Sequence, residues 1–216
     1  MQDENRSSLT RREVVAAAAF VPLAALVASG QTRPALSAPQ MKMLEAFIDR
    51  IIPSDEVGPG ALAAGAQVYI DRVLAGPNAA EKAEFLAGLQ AVDAYARRTQ
   101  GGALADLSAE KRDAVLQAID SGAAPELQAF FTRARRLTLE GMFSDPYYGG
   151  NANFAGWDLL GYPGIRTMVT DADQKAYEAG KMAPNHKSAY DYETFNKATA
   201  RNAGHDHEEH ADGHQA

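Results

Sequence analysis

The sequence contains no cysteine among its 216 residues. A chain without cysteine forms no disulfide, no thiolate metal site, no iron–sulfur cluster and no haem attachment through Cys-x-x-Cys-His. It also has no excess of positive charge, because 28 Asp and Glu residues outnumber 21 Lys and Arg residues and give a formal net charge of −7. We therefore expect no nucleic-acid partner, since phosphate groups need a basic surface.

Motifs that mark common enzyme classes are missing as well. The glycine-rich stretch 58–65 lies between predicted helices and lacks the spacing of a dinucleotide fingerprint, so we expect no Rossmann-type binding of FAD or NAD in this chain. The sequence has no phosphate-binding loop, no Gly-x-Ser-x-Gly elbow and no His-Glu-x-x-His. Four aspartates remain as acid–base candidates, but no histidine lies in the predicted core, so we interpret them as structural. They are Asp49, Asp55, Asp71 and Asp145.

Apolar residues recur at helical spacing, and no alternating strand pattern of useful length is present. Ser37 followed by Gln40 predicts the start of the first helix, and Pro53 predicts its end. Further apolar stripes follow, one ended by Gly76-Pro77 and the next by Gly101-Gly102. A later stripe places Phe130 and Phe131 in the core. These patterns predict an all-α domain over residues 38–170, built as an orthogonal bundle of about five helices.

Residues 1–37 have the composition of an export signal and linker. A polar start precedes the apolar run Val14–Ala28, which is shorter than the roughly 20 residues that a membrane span needs. Arg11 and Arg12 precede this run and resemble the twin-arginine (Tat) export pattern. General secretion stays open as the alternative route. Cleavage after Ala28, cleavage after Ser37 and retention as an anchor also stay open.

The chain becomes polar after residue 170, and we interpret residues 171–216 as a poorly ordered polar arm followed by a disordered His-rich tail. Histidines that alternate with acidic residues in such a tail are weak candidates for binding zinc, nickel or copper. A solvated tail without metal is favoured, because nothing in the sequence would hold the ligands in place. The candidate ligands are His205, His207, His210 and His214.

The segment 143–164 is rich in glycine and aromatic residues. Glycine permits close approach of another chain, and Tyr and Trp are enriched at protein interfaces. We therefore predict a partner-facing surface here, with a loop that caps the domain's own core as the alternative; both descriptions can hold together. The predicted interface comprises Phe143, Asp145, Tyr147, Tyr148, Gly149, Gly150, Asn151, Phe154, Trp157, Tyr162 and Pro163.

Two runs in this segment carry a family resemblance: Asp145-Pro146-Tyr147-Tyr148-Gly149-Gly150-Asn151, and Trp157-Asp158-Leu159-Leu160-Gly161-Tyr162-Pro163-Gly164. They resemble the gluconate 2-dehydrogenase subunit 3 family, the small or gamma subunit of flavin-dependent gluconate, glucose and fructose dehydrogenases. The upstream runs 49–55, 59–61, 64–65 and 69–72 are similar to the first half of the same family.

The resemblance implies a division of labour among three subunits. A large GMC-type subunit binds FAD and oxidises the sugar or sugar acid, and a multi-haem cytochrome c subunit passes electrons to the membrane quinone. The small subunit has no catalytic residue or cofactor of its own. It binds the large subunit and takes it through the Tat translocase into a periplasmic complex at the inner membrane. The alternative is a stand-alone periplasmic metal-binding protein or enzyme that uses the His-rich tail.

Overall fold

The computed structural model describes residues 34–195, and this part of the chain contains helices and no strands. Five longer helices form the body: α1 (Ala38–Ile51), α2 (Ala66–Ala75), α3 (Lys82–Gln100), α4 (Ala109–Asp120) and α5 (Gln128–Phe143). Two short helices follow, α6 (Ala155–Leu159) and α7 (Asp171–Glu178). The predicted all-α fold is confirmed. The predicted signal helix and His-rich tail lie outside the described residues.

The helix ends follow from local sequence. The side chain of Gln40 accepts a hydrogen bond of 2.8 Å from the backbone N–H of Ser37, which closes the first turn of α1. Helix α1 ends at Ile51, two residues before Pro53. Helix α3 ends at Gln100, and the next residue, Gly101, has a φ of 79°, in the left-handed region that glycine adopts without strain. The predicted boundaries are therefore confirmed at these three positions.

The core is centred on phenylalanine rings from three helices. Phe47 of α1 is fully buried and packs edge-to-face against Phe130 and Phe131 of α5, with ring centroids 5.7 and 5.9 Å apart. Phe85 of α3 lies 5.2 Å from Phe130. Both α5 rings are buried, so the prediction that they belong to the core is confirmed. Aromatic pairs of this geometry contribute about 0.5–1.5 kcal/mol each beyond the burial of their apolar surface.

Helices α2 and α5 approach closely at a pair of small residues. A Cβ atom added at Gly141 of α5 would lie 2.9 Å from the Cα of Ala66 at the start of α2. Only glycine allows this approach, which places the C-terminal end of α5 against the segment that precedes α2. Within the described helices, none has the length and apolar character required to cross a bilayer.

The arm after residue 170 differs from expectation. The sequence predicted a poorly ordered arm from Asp171, whereas the structure places α7 there and returns residues 185–192 to the segment 143–164. Helix α7 starts there because of a capping box. Thr170 Oγ1 accepts a hydrogen bond from Asp173 N, and Asp173 Oδ2 accepts one from Thr170 N. The domain boundaries at residues 37 and 170 stay a prediction.

Candidate functional site

The loop that follows α5 is held by one buried asparagine. Asn151 has no exposed surface, and its backbone N–H donates to the carbonyl of Gly141 at 2.8 Å. Its side-chain Nδ2 donates to the carbonyl of Ser144 at 2.9 Å, and its Oδ1 accepts from Gly156 N at 2.8 Å. Asn151 also adopts a φ of 46°, a left-handed conformation that asparagine tolerates better than most residues. Asn151 therefore connects the end of α5, Ser144 and the segment at Gly156 through hydrogen bonds.

Two glycines and a tryptophan complete this fastening. A Cβ atom at Gly150 would overlap the Gly141 carbonyl, and one at Gly156 would overlap the Met142 carbonyl. The indole Nε1 of Trp157 donates to the carbonyl of Phe143 at 2.9 Å, and the residue is only 6% exposed. Gly150, Asn151 and Trp157, which were predicted to be partner-facing, therefore lie inside the chain. For these residues the structure favours the alternative that the loop caps the domain's own core.

Three predicted interface tyrosines remain on the surface. Tyr147, Tyr148 and Tyr162 are 52%, 47% and 39% exposed. Tyr147 and Tyr148 meet edge-to-face with ring centroids 5.4 Å apart, and Asp145 fixes their turn by accepting from Tyr147 N at 2.9 Å. Asp145, Tyr147 and Tyr148 therefore lie together on a turn that starts from the end of α5.

Tyr190, from the arm, joins this pair and was missed by the sequence analysis. Its ring stacks on Tyr147 with centroids 3.6 Å apart and an interplanar angle of 20°. Its hydroxyl lies 3.2 Å from that of Tyr148, and this hydrogen bond is the main cause that raises the pKa of Tyr190. No local sequence signal connects residues 147 and 190, because the contact joins distant parts of the chain. We call Tyr147, Tyr148 and Tyr190 the tyrosine cluster.

A second aromatic group lies around Phe154. The ring of Phe154 lies 5.5 Å from Trp157 and stacks on His186 with centroids 5.1 Å apart. His186 Nε2 lies 2.7 Å from Asp158 Oδ1. Phe154 has a φ of 62°, a left-handed conformation that costs roughly 1–3 kcal/mol for a bulky residue and is found mainly at functional sites. The surrounding contacts hold this strained residue in place.

Exposed apolar side chains are concentrated in this region. Eleven large hydrophobic side chains are exposed in the part of the chain that the structure describes, and eight of them lie at or after residue 147. That stretch holds less than a third of the described residues. Concentrated exposed apolar surface marks interaction sites in soluble proteins. The uneven distribution, rather than any single tyrosine, identifies residues 143–192 as the candidate site.

The turn between α1 and α2 is hydrogen-bonded to the loop that follows α5. Ala152 N donates to the carbonyl of Ala64 at 2.8 Å, which ties the loop to the turn before α2. That turn is itself fixed, since Ala61 N donates to the carbonyl of Ile52 at 2.9 Å and Gly60 N donates to Ser54 Oγ at 2.8 Å. The upstream and downstream runs that carry the family resemblance are therefore neighbours in the fold.

The four aspartates have structural partners. Asp71 accepts from Leu36 N at 2.8 Å, and Asp55 accepts from Val57 N at 2.9 Å. Asp49 lies 3.7 Å from the guanidinium groups of both Arg50 and Arg112. Asp145 accepts from Tyr147 N and, through Oδ2, from Ala189 N at 2.8 Å. These contacts support the structural interpretation of the aspartates.

Burial also perturbs one tyrosine near the loop. Tyr69 of α2 donates through its hydroxyl to Glu140 Oε2 at 3.2 Å. Burial of the phenol, reinforced by the nearby Glu140 charge, raises the pKa of Tyr69 to about 12. Tyr69 therefore acts as a neutral hydrogen-bond donor that links α2 to α5.

The described part of the chain contains no cluster of side chains that could bind a metal ion. Between residues 34 and 195, no group of three or more His, Cys, Asp or Glu side chains is placed to hold an ion. The candidate ligands His205, His207, His210 and His214 lie outside the described residues. The expectation that this chain carries no metal and no cofactor therefore stays a prediction.

Fold and site together define a small helical domain with an aromatic surface on a loop that hydrogen bonds fasten to the helical body. Residues 38–164 match the family model of gluconate 2-dehydrogenase subunit 3, and the chain belongs to this family. The family is one subunit of a multi-subunit gluconate dehydrogenase complex, so membership implies that the chain has partner subunits. No curated protein and no solved structure matches the chain.

Proposed function

We propose that this chain is the non-catalytic small subunit of a membrane-associated, FAD-dependent sugar or sugar-acid dehydrogenase. It binds the large GMC-type flavoprotein subunit through the exposed part of the segment 143–164. FAD belongs to that large subunit, and haem c belongs to a cytochrome c subunit of the same complex. The family match supports the proposal that the chain is a subunit of such a complex. The observation that supports this choice of binding surface is the concentration of exposed aromatic side chains from residue 147 onward.

The physical argument for this face is preorganisation. Tyr147 and Tyr148 leave α5 on a turn fixed by Asp145, and Asn151 fastens the loop immediately after them. A partner that binds rigid aromatic side chains loses little conformational entropy on docking. Tyrosines of this kind are frequent among the few residues that dominate the binding energy of an interface.

We further propose that residues 1–37 supply the export signal for the complex. Arg11 and Arg12 precede the apolar run in the order that the twin-arginine pattern requires. The Tat translocase carries folded cargo, so a large subunit that loads FAD in the cytoplasm would leave as a passenger on this chain. The complex would then reside in the periplasm, associated with the inner membrane.

The docking face is tested by co-purification of the large subunit with tagged variants of this chain. We expect the double variant Tyr147→Ala/Tyr148→Ala to weaken binding by about 30-fold or more, since loss of one interfacial hot spot costs about 2 kcal/mol. Leu139→Ala is the matched control, because Leu139 is an exposed apolar residue of α5 outside the segment. Unchanged binding by a normally folded double variant would contradict the proposed face.

Export is tested separately with Arg11→Lys/Arg12→Lys. We expect both this chain and the large subunit to accumulate in the cytoplasm, and FAD-dependent dehydrogenase activity to disappear from the periplasmic fraction. If the large subunit still reaches the periplasm, it travels without this chain and the export proposal is wrong. A purified chain that binds metal through its tail and has turnover of its own would favour the stand-alone alternative.

A further inference from the structure

After the family match ends at residue 164, the chain continues beside the proposed docking face, and we take the arm to comprise residues 165–192. Asn185 is the main point of attachment: its backbone N–H donates to the Pro163 carbonyl at 3.3 Å, and its Nδ2 donates to the Ile165 carbonyl at 2.6 Å. Gly164 has a φ of 84°, and a Cβ atom there would overlap the side chain of Asn185. Ala189 N adds the bond to Asp145. The arm is therefore fitted to the family-matched loop.

The arm does not cover the exposed tyrosines. Tyr147 and Tyr148 remain about half exposed with Tyr190 in place, and Tyr162 remains 39% exposed. A segment that blocked the face would remove these side chains from solvent. The geometry instead makes the arm an extension of the same surface.

A groove lies at the junction between the loop and the arm. Its volume is about 430 Å³, and its apolar lining comes from Tyr162 and Pro163 on the loop side and Val169, Tyr177 and Met182 on the arm side. Val169 and Tyr177 are 66% and 63% exposed, and neighbouring Met168 is 77% exposed. Tyr162 belongs both to the predicted interface and to the groove, so the two surfaces are continuous.

The charges in the groove favour an apolar occupant. Arg166 and Asp173 are the charged residues among those that line it, and they lie 3.7 Å from each other. Arg166 also donates to the Ala183 carbonyl at 3.0 Å. Because these two charges are engaged with each other and with the backbone, the groove offers no unpaired charge to a charged side chain.

The number of exposed residues in the loop 143–164 gives a second argument. Only seven of the 22 residues from 143 to 164 are exposed, whereas a stable protein–protein interface uses roughly 20–30 residues on each side. Residues 165–192 contribute another 18 exposed residues. The exposed residues of the loop and the arm together reach this number, and those of the loop alone do not.

We propose that residues 165–192 extend the docking face and that this groove receives an apolar anchor side chain, aromatic or branched aliphatic, from the flavoprotein subunit. The proposal rests on the proposed function, since it concerns the same partner. It adds that part of the affinity resides outside the family-matched residues. The arm is then an element by which this chain selects its own dehydrogenase subunit.

The test measures the dissociation constant between the full chain and the purified FAD-containing large subunit from the same organism. The groove variants are Val169→Asp, which puts a charge at the rim, and Tyr177→Ala, which removes one wall. Ala114→Asp is the matched control, since Ala114 is an exposed residue of α4 and receives the same charge. Thermal unfolding of each variant shows whether the fold is retained.

We expect each groove variant to weaken binding by about tenfold or more, and the control to leave it unchanged. If Tyr147→Ala/Tyr148→Ala weakens binding but both groove variants bind normally, the extension is wrong and the proposed function stands. Tighter binding by the groove variants would mean that the arm competes for the face, which also overturns the inference. If none of the variants changes binding, the docking face itself is wrong.

Discussion

Replacing Asn151 with alanine should destabilise the domain strongly, although it leaves the apolar core intact. The substitution removes the hydrogen bond from Nδ2 to the Ser144 carbonyl and the one from Gly156 N to Oδ1. Gly156 is buried, so its unpaired N–H would have no access to water, whereas Ser144 is only partly buried and its carbonyl loses a part-buried hydrogen bond. The buried N–H left unpaired costs about 1–3 kcal/mol, and loss of the part-buried hydrogen bond to Ser144 costs about 0.5–1.5 kcal/mol.

The backbone adds a smaller penalty. Asn151 has a φ of 46°, and alanine in a left-handed conformation is disfavoured by roughly 1 kcal/mol. The total loss is therefore about 3–5 kcal/mol, a large part of the 5–15 kcal/mol that stabilises a typical domain. For a domain of this size we expect the melting temperature to fall by about 10 °C, measured by circular dichroism or calorimetry.

The chain offers a matched control. Asn153 has a φ of 55°, is exposed, and its side chain makes no hydrogen bond in the described structure. Asn153→Ala should therefore show the backbone penalty alone, about 1 kcal/mol. Asn151→Gly should show only the loss of the hydrogen bonds, because glycine adopts the left-handed conformation without penalty but leaves the same groups unpaired. Equal losses for Asn151→Ala and Asn153→Ala in urea unfolding would refute the role of the buried hydrogen bonds.

Three further outcomes are expected. Gly150→Ala should lose about 1–3 kcal/mol in urea unfolding, because its Cβ would overlap the backbone carbonyl of Gly141; wild-type stability would show that the loop adjusts freely. The Tyr69→Phe variant should lack the absorbance change near pH 12 at 295 nm, because burial raises the pKa of Tyr69 to about 12 in the folded protein; an unchanged titration would contradict this. The hydrogen bond from Thr170 N lowers the pKa of Asp173, so its contribution to α7 is present above the unfolded pKa of about 3.9 and is lost as the pH falls through the lower folded pKa. Hydrogen exchange of α7 should show this loss, and Asp173→Asn should lack the pH dependence.

The body of the fold was accessible from the sequence because local signals and tertiary packing agree. Ser37 with Gln40, Pro53 and Gly101 mark helix ends through backbone chemistry that acts within a few residues. The apolar stripes between these signals predict which faces are buried, and Phe130 and Phe131 lie in the core as the periodicity indicates.

The arm was missed although part of its signal was readable. Thr170 and Asp173 form a Thr-x-x-Asp capping box, which predicts a helix start, but the polar composition after it outweighed this pattern in the interpretation. The stacking of Tyr190 on Tyr147 has no such signal. It depends on a contact between residues that are distant in sequence, and residue type alone does not reveal it.

The candidate site was located by the sequence but not resolved into its parts. Tyrosine and tryptophan serve both cores and interfaces, so composition does not separate Trp157, which is buried and donates to the Phe143 carbonyl, from Tyr148, which is half exposed. Which aromatic residues are buried depends on the close backbone contacts at Gly150 and Gly156. Because of these contacts, the part of the loop that holds Trp157 is buried, whereas Tyr147 and Tyr148 remain exposed.

Site-specific photo-cross-linking in the intact complex tests the central claim most directly. With p-benzoylphenylalanine in place of Tyr148, illumination should join this chain covalently to the flavoprotein subunit. The same probe in place of Ala114, on the outer surface of α4, should give no such product. A product from position 114 and none from position 148 would contradict the account, because the flavoprotein subunit would then contact the helical body instead of the aromatic loop.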